Sequence, residues 1–352
     1  MKQYRLSPIL DAYDAVLFDM DGVMTSEQMY WSAAALTVYE MYHGAHYYGS
    51  KPLSAQELAE EWKQIRRTVF CNDRTIRLVK DKGVNSNWDL AYVVLGCALW
   101  LDEVSDFDAV YDALSSIGGD AFSLYDAVAA RLSAKFEQKP GYFDRLGPFW
   151  QQTVSCFQEW FLGSALYQKQ FGQPARLSGK PGLIHAEEPI VDKPLLLSLL
   201  KLLHDSGKRI GIGTGRPLLE CESVLIHWDV QKYFEPDAVI TYDDVLAAEN
   251  RLLQTGISVE LTKPHPFIFL KGCLGGKFTD EEIVRGHFDP SPCRRTLVVG
   301  DAGADLFAAR AAGCGFAAVL TGVQGQDARE FFEKEKADFI LNNVLDFMME
   351  IQ

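Results

Sequence analysis

Two carboxylates, Asp19 and Asp21, follow the apolar run Ala15-Val16-Leu17-Phe18, and Gly22 comes directly after them. A strand interior excludes unpaired charge, so a strand must end at Asp19, with both acids at its exit. Three more polar clusters follow runs of the same kind or stand between them. Thr214-Gly215-Arg216 follows Arg209 to Gly213, Lys263 stands in Thr262-Lys-Pro-His-Pro266, and Asp301 and Asp305 follow Thr296 to Gly300. Brought together, Asp19, Asp301 and Asp305 would repel one another unless a cation sits among them. An all-oxygen ligand set favours Mg²⁺ over zinc.

A carboxylate can attack phosphorus and form an aspartyl-phosphate. A second carboxylate two residues on can protonate the leaving oxygen and later activate water. Asp19 and Asp21 have the types and spacing for these roles, and Gly22 lets the chain turn between them and the phosphate. Thr214, the Gly215 N–H and Lys263 can hold phosphoryl oxygens, with Gly22 counted among the phosphate-binding residues. Each cluster has a plainer reading by itself. Asp-x-Asp can be a solvated turn, Thr-Gly-Arg a turn, and Lys263 a surface lysine. Asp301 can be a helix N-cap with Asp305 in the first turn. Their order along one alternating pattern carries the argument for a joint site.

That pattern must bring them together. From about residue 188 helical and strand signals alternate. Helices are expected over 193–206, 218–227, 266–274 and 302–312, and strands over 209–213, 237–241, 296–300, 316–320 and 337–341. Such alternation predicts an α/β fold, a Rossmann-like parallel sheet flanked by helices, and ligands bind beyond the carboxyl ends of its strands. Residues 15–18 have the texture of a strand of that sheet. Between them, residues 26–184 read as helical, with a capping-box pattern at Ser54-Ala-Gln-Glu57 opening a helix through Phe70. Further helices are expected over 85–101, 106–117, 121–136 and 146–171. The expected organisation is therefore 1–25 with 185–352 as the α/β core and 26–184 as a large all-helical insertion after the first strand. The segment 275–295 reads as an extra loop or short helix.

The 352 residues carry a formal net charge of −14, which repels nucleic-acid phosphates and argues against such a partner. Seven scattered cysteines without C-x-x-C spacing argue for reduced thiols and against a disulfide framework or a zinc site. The N-terminal stretch lacks an apolar signal core, and no run approaches a membrane span of roughly 20 apolar residues. The expectation is a soluble, cytoplasmic protein with no membrane partner; the oligomeric state is open.

The four clusters resemble, in order, the four motifs of the haloacid-dehalogenase (HAD) superfamily. FDMDGV resembles the first, GTGR the second, Lys263 in TKPHPFIFL the third, and VVGDAGADLFAARAAG the fourth. Phosphoglycolate-phosphatase-like and β-phosphoglucomutase-like members carry the third motif in this form. The resemblance covers residues 13–25 and about 188–345. It implies a nucleophile at Asp19, an acid/base at Asp21, phosphate binding at Thr214, and Mg²⁺ on Asp19, Asp301, supporting Asp305 and the backbone carbonyl of Asp21. It implies a phosphatase acting on a small phosphorylated metabolite. The alternatives are a sugar phosphomutase of the same fold, or a non-catalytic binding or regulatory protein that kept it. The insertion stands where the family has its C1 cap and is longer than most. Lys63, Arg66, Arg67 and Arg74 are its candidates for a second anionic group of a substrate, against a plainer reading as a solvated basic face. Tyr30, Trp31, Tyr39, Tyr42, Tyr47 and Tyr48 are expected in helix packing rather than in a pocket.

Overall fold

The computed structural model describes residues 3–84, 86–101 and 106–351. Asn85, where the sequence places a helix start, lies outside them. The chain divides into two compact units, Met1–Glu27 with Glu187–Gln352, and Gln28–Ala186.

The first unit is built on β1 (Tyr4–Leu6), β2 (Ala15–Phe18), β3 (Arg209–Gly213), β4 (Val239–Ile240), β5 (Thr296–Gly300), β6 (Gly315–Val319), β7 (Phe339–Leu341) and β8 (Met348–Glu350). Six of these form a parallel sheet in the order β4-β3-β2-β5-β6-β7. With its flanking helices this is a Rossmann-like core, and the helical unit enters after β2. All four residues of β2 are buried, as expected where helices cover both faces of a parallel sheet. Its register pairs Phe18 with Ile212 on one side and Val299 on the other. The chain exits following these residues, at Asp19, Thr214 and Asp301, therefore lie at one end of the sheet.

Several elements stand outside the expected pattern. Residues 4–6 form β1, an antiparallel pair with β8, so the strand that carries Asp19 is the second of the chain. Two helices, Tyr242–Gln254 and Ala328–Lys334, were not legible beforehand. Their acidic and basic residues break up the apolar periodicity, although the capping box of Thr241 and Asp244 marks the first start. The 275–295 segment holds two short helices, Asp280–Val284 and Ser291–Arg294.

In the second unit the helices Gln28–His43, Asn87–Trp100 and Pro148–Phe171 pack on one another. The first two bury residues around most of their circumference, which is the pattern of a core helix rather than a surface one. Ser54 caps as expected, accepting from the Glu57 N–H. The helix it opens stops at Glu60, and a second runs over Trp62–Val69, the chain changing direction at Glu61. The long helix starts at Pro148 and bends at Gly163. A buried charge cluster lies inside this unit. Lys180 Nζ meets Glu40 Oε2 at 2.7 Å and Glu159 Oε2 at 2.6 Å, and Trp160 Nε1 donates to Glu40 Oε2 at 2.6 Å. No helix among the described residues is long and apolar enough to cross a membrane.

Candidate active site

Asp19 leaves β2 with its backbone N–H donating to the Val299 carbonyl of β5. One side-chain oxygen from each of Asp19, Asp301 and Asp305 lies within 4.8 Å of the other two. Lys263 reaches them from the loop before the helix Phe267–Leu274, its Nζ 2.9 Å from Asp19 Oδ1 and 2.7 Å from Asp305 Oδ1. His265 shapes that loop, its Nδ1 accepting from the Phe267 N–H.

The fourth cluster is not a helix cap on Asp301. The helix Gly303–Ala312 takes Ala302 as its N-cap, and Asp305 Oδ2 accepts from the Ala302 N–H at 3.3 Å. That bond fixes one Asp305 oxygen and leaves the other on Lys263. Asp301 is held by glycines. A Cβ on Gly22 would stand 2.3 Å from Asp301 Oδ2, and one on Gly322 only 1.9 Å from it. Gly22 also has φ +77°, a conformation that costs an L side chain free energy. Thr321 Oγ1 donates to the Gly22 carbonyl at 2.5 Å, tying this turn to the loop after β6.

Asp21 is engaged differently. Arg216 Nη2 and Nε lie 2.6 and 3.0 Å from its two oxygens, and Thr25 Oγ1 donates to it at 3.0 Å. Arg216 is itself buried, and it also makes a two-pronged pair with Glu187, at 2.7 and 2.8 Å. One guanidinium thus joins Asp21 to residues beside both chain crossings out of the α/β unit, Thr25 and Glu187. Thr214 is fully buried, and its Oγ1 accepts from the Arg216 N–H at 3.1 Å. Above Gly215 there is open space.

The electrostatics follow from burial. Burial pushes the Asp19 carboxyl up to about 7, with Asp305 and Asp21 adding to the shift and Lys263 opposing it. Burial likewise pushes Asp301 well up, reinforced by Asp305 and Asp19. Burial opposes the Lys263 charge, but Asp19 and Asp305 outweigh it and raise its pKa. Three carboxyl groups therefore face one ammonium in a largely dry site, where Asp19 and Asp301 tend to keep their protons unless a cation joins them. Clustered carboxylate oxygens of this kind fit a hard divalent cation, and Mg²⁺ suits the donor set.

The structure brings Asp19, Lys263, Asp301 and Asp305 into contact, with Gly22 against Asp301, and holds Asp21 and Thr214 through Arg216. Glu187, Thr25, Thr321 and Gly322 were not singled out in the sequence. They sit in loops without periodicity, and only the folded chain reveals their partners. In the helical unit, Arg66 is buried and committed to Asp73 (2.7 and 3.0 Å) and to the Gln28 carbonyl. That makes it a packing residue there rather than part of a solvated basic face. Arg74 pairs with Asp108 and lies over the Tyr111 ring. Lys63 and Arg67 are exposed. Tyr30 stacks on Phe161. His46 bonds Glu40 at 2.8 Å while His43 packs on Tyr39 and Tyr42, so the two histidines have separate partners.

Residues 261–347 match the family model described as HAD-hydrolase-like. A search of curated proteins by sequence finds no match. Among solved structures, an X-ray structure from the Northeast Structural Genomics Consortium is similar over 95% of this chain and 97% of its own, with 27% identity and a TM-score of 0.83. A putative β-phosphoglucomutase from Thermotoga maritima aligns over 95% and 96% at 14% identity with a TM-score of 0.41. A predicted phosphoglycolate phosphatase from Haemophilus somnus aligns over 95% and 96% at 14% identity with a TM-score of 0.42. The resemblance carried by the four motifs is met again in the family-model match over residues 261–347, and the fold, a parallel α/β unit with a helical insertion after β2, is shared with the first of these structures over nearly its whole length.

Proposed function

We propose that the protein is a Mg²⁺-dependent phosphatase that hydrolyses a small phosphorylated metabolite through an aspartyl-phosphate on Asp19. The observation that carries this reading is the convergence of Asp19, Asp301 and Asp305, one oxygen of each within 4.8 Å of the others, with Lys263 bonded to two of them at the exit of a parallel sheet. Asp19, Asp301 and the Asp21 backbone carbonyl would hold the ion, with Asp305 supporting them. The ion supplies positive charge against the phosphoryl oxygens.

In the first half-reaction an Asp19 carboxylate oxygen bonds to phosphorus. The bond from phosphorus to the ester oxygen breaks, and Asp21 gives that oxygen its proton. In the second, Asp21 takes a proton from water as the water oxygen bonds to phosphorus. Asp19 is released as a carboxylate, and inorganic phosphate leaves. Lys263 and the Gly215 N–H stabilise charge on the transferring oxygens. Thr214 holds the loop that presents Gly215, through its bond to the Arg216 N–H. Asp21 reaches the substrate only by exchanging its bonds to Arg216 and Thr25, so Arg216 sets where that carboxylate rests.

The phosphomutase alternative requires a second phosphate site on the cap. Two of the four cap cations, Arg66 and Arg74, already have carboxylate partners, which favours hydrolysis. The test is phosphate release from a panel of phosphorylated metabolites with Mg²⁺ and with EDTA. Metal-dependent release from one or a few compounds is expected. Isomerised sugar phosphate without free phosphate would replace this reading with the mutase, and no turnover of any kind would favour a binding role.

A further inference from the structure

Three of the seven cysteines, far apart in sequence, meet inside the α/β unit. Cys273 lies on the helix Phe267–Leu274, Cys293 on the helix Ser291–Arg294, and Cys314 in the turn before β6. All three are buried, and their Sγ atoms lie within 4.8 Å of one another, with Cys273 and Cys314 at 3.6 Å. A disulfide would need about 2.05 Å, so these are separate thiols. Three thiolates on one ion, each with a bond of about 2.3 Å, would have their sulfurs roughly 3.8–4.0 Å apart in a tetrahedral or trigonal site. The Cys273–Cys314 distance is close to that spacing, and the third sulfur lies within 4.8 Å of both.

A second feature belongs to the same place. A cavity of about 560 Å³ is lined by Cys273 together with Ala15, Arg209 and Thr296, the first residues of β2, β3 and β5. It therefore lies at the amino-terminal edge of the sheet, the opposite end from Asp19, and borders one of the three cysteines. Asp289 and Lys277 of the 275–295 segment line it too. That segment, which the proposed hydrolysis does not use, supplies Cys293.

We propose that Cys273, Cys293 and Cys314 form a three-thiolate site for a soft, thiophilic ion of the Zn²⁺ or Cu⁺ class, which fastens the 275–295 segment to the core. Thiolate donors select such ions over Mg²⁺, so the site and the carboxylate cluster sort metals by chemistry. Binding replaces the thiol protons with metal–sulfur bonds and releases them to solvent, so it tightens as pH rises. The three thiols share their protons: contact with Cys273 and Cys314 pulls Cys293 down, contact with Cys293 pushes Cys273 up, and contact with Cys273 and Cys293 pushes Cys314 up, so a metal ion must displace the protons of Cys273 and Cys314. The alternative to a metal site is three small apolar side chains packed together, since all three also belong to the core around Phe267, Leu306 and Phe316.

The test uses the full chain, reduced, stripped with EDTA and returned to excess Mg²⁺ so that the carboxylate cluster is filled. Cd²⁺ is then titrated in while the ultraviolet thiolate-to-metal charge-transfer band is followed. One equivalent per chain is expected, with the band lost in Cys293→Ser and Cys314→Ser and kept in Cys221→Ser. The same Cd²⁺ should raise the melting temperature of the wild type and leave that of the first two variants unmoved. Should either variant fail to fold, alkylation of the wild type with and without Zn²⁺ gives an independent reading. Zn²⁺ should protect Cys273, Cys293 and Cys314 together and leave Cys221 unchanged. No band, a band that survives both substitutions, protection of fewer than the three thiols, or oxidation of Cys273 and Cys314 to a disulfide under these conditions would overturn the site.

Discussion

Each unit of the molecule contains a buried lysine between two carboxylates. In the helical unit Lys180 meets Glu40 and Glu159; in the α/β unit Lys263 meets Asp19 and Asp305. In both, burial works against the ammonium and the neighbouring acids outweigh it, raising its pKa. The surroundings differ. The Lys180 side chain is 0% exposed and closed over by the Trp160 ring, whereas those of Lys263 and Asp19 are 14% and 12% exposed. The first cluster takes its two acids from helices and has them met by Lys180 and His46. The second takes Asp19 and Lys263 from loops and Asp305 from the first turn of the helix after β5, has a third acid in Asp301, and is packed against glycines that admit no side chain. The same charge triad is a closed structural tie in one place and, on the proposed reading, the metal and phosphoryl site in the other. What separates them is the uncompensated third carboxylate and the position at the exit of a parallel sheet.

Substitutions can invert that comparison. The largest effect is expected at Asp19. Asp19→Asn should reduce phosphate release below detection while the far-ultraviolet dichroism stays as in the wild type; measurable turnover would sink the nucleophile assignment. Asp21→Asn should lower kcat by about 10²–10⁴-fold, the usual worth of a general acid–base. Lys263→Met should cost about 10²–10³-fold in kcat, as for loss of one preorganised charge donor. Lys180→Met, by contrast, leaves Glu40 and Glu159 buried without their cation. It should cost about 3–5 kcal/mol of stability in urea unfolding. If the Lys180 variant kept its stability, the contrast between tie and site would collapse.

The smallest effect expected is on the pH dependence of stability in EDTA. Asp19 titrates at about 7 when folded but near 3.8 when unfolded. The folded state therefore binds the extra proton between these values, and Asp19's contribution is lost as pH rises through that window. Asp19→Asn removes that loss. Its melting temperature relative to wild type should climb from pH 4 to pH 7 in EDTA, and less so with Mg²⁺. A gap that stays flat in EDTA would show that Asp19 is ionised throughout.

The sequence announced the sheet because buried parallel strands such as Ala15–Phe18 and Thr296–Gly300 are continuous apolar runs. The polar residue that ends each run marks the end of the sheet where the site forms. It did not announce Glu187, which lies beside a second glutamate in an aperiodic loop and gains meaning only from Arg216. Nor did it announce the three-thiol cluster. Spacings of 20 and 21 residues between Cys273, Cys293 and Cys314 match no short motif, and they close only because a helix, an extra segment and a turn stack at one edge. The cap cations illustrate the opposite error of reading. Arg66 looks like a surface charge until Asp73, seven residues on, turns back to meet it.

The strand order also dictates a timetable for synthesis. β2 is made almost first, yet its neighbours β3 and β5 follow about 190 and 280 residues later. At roughly 5–20 residues per second on the ribosome, the second neighbour arrives some 15–55 s afterwards. Meanwhile the helical unit, contiguous over 28–186, is complete and draws only on residues already made. The nascent chain should therefore carry a folded helical unit while the strand that ends in Asp19 remains unpaired. Protease protection on stalled ribosomes should appear over 28–186 well before it appears at residues 15–18.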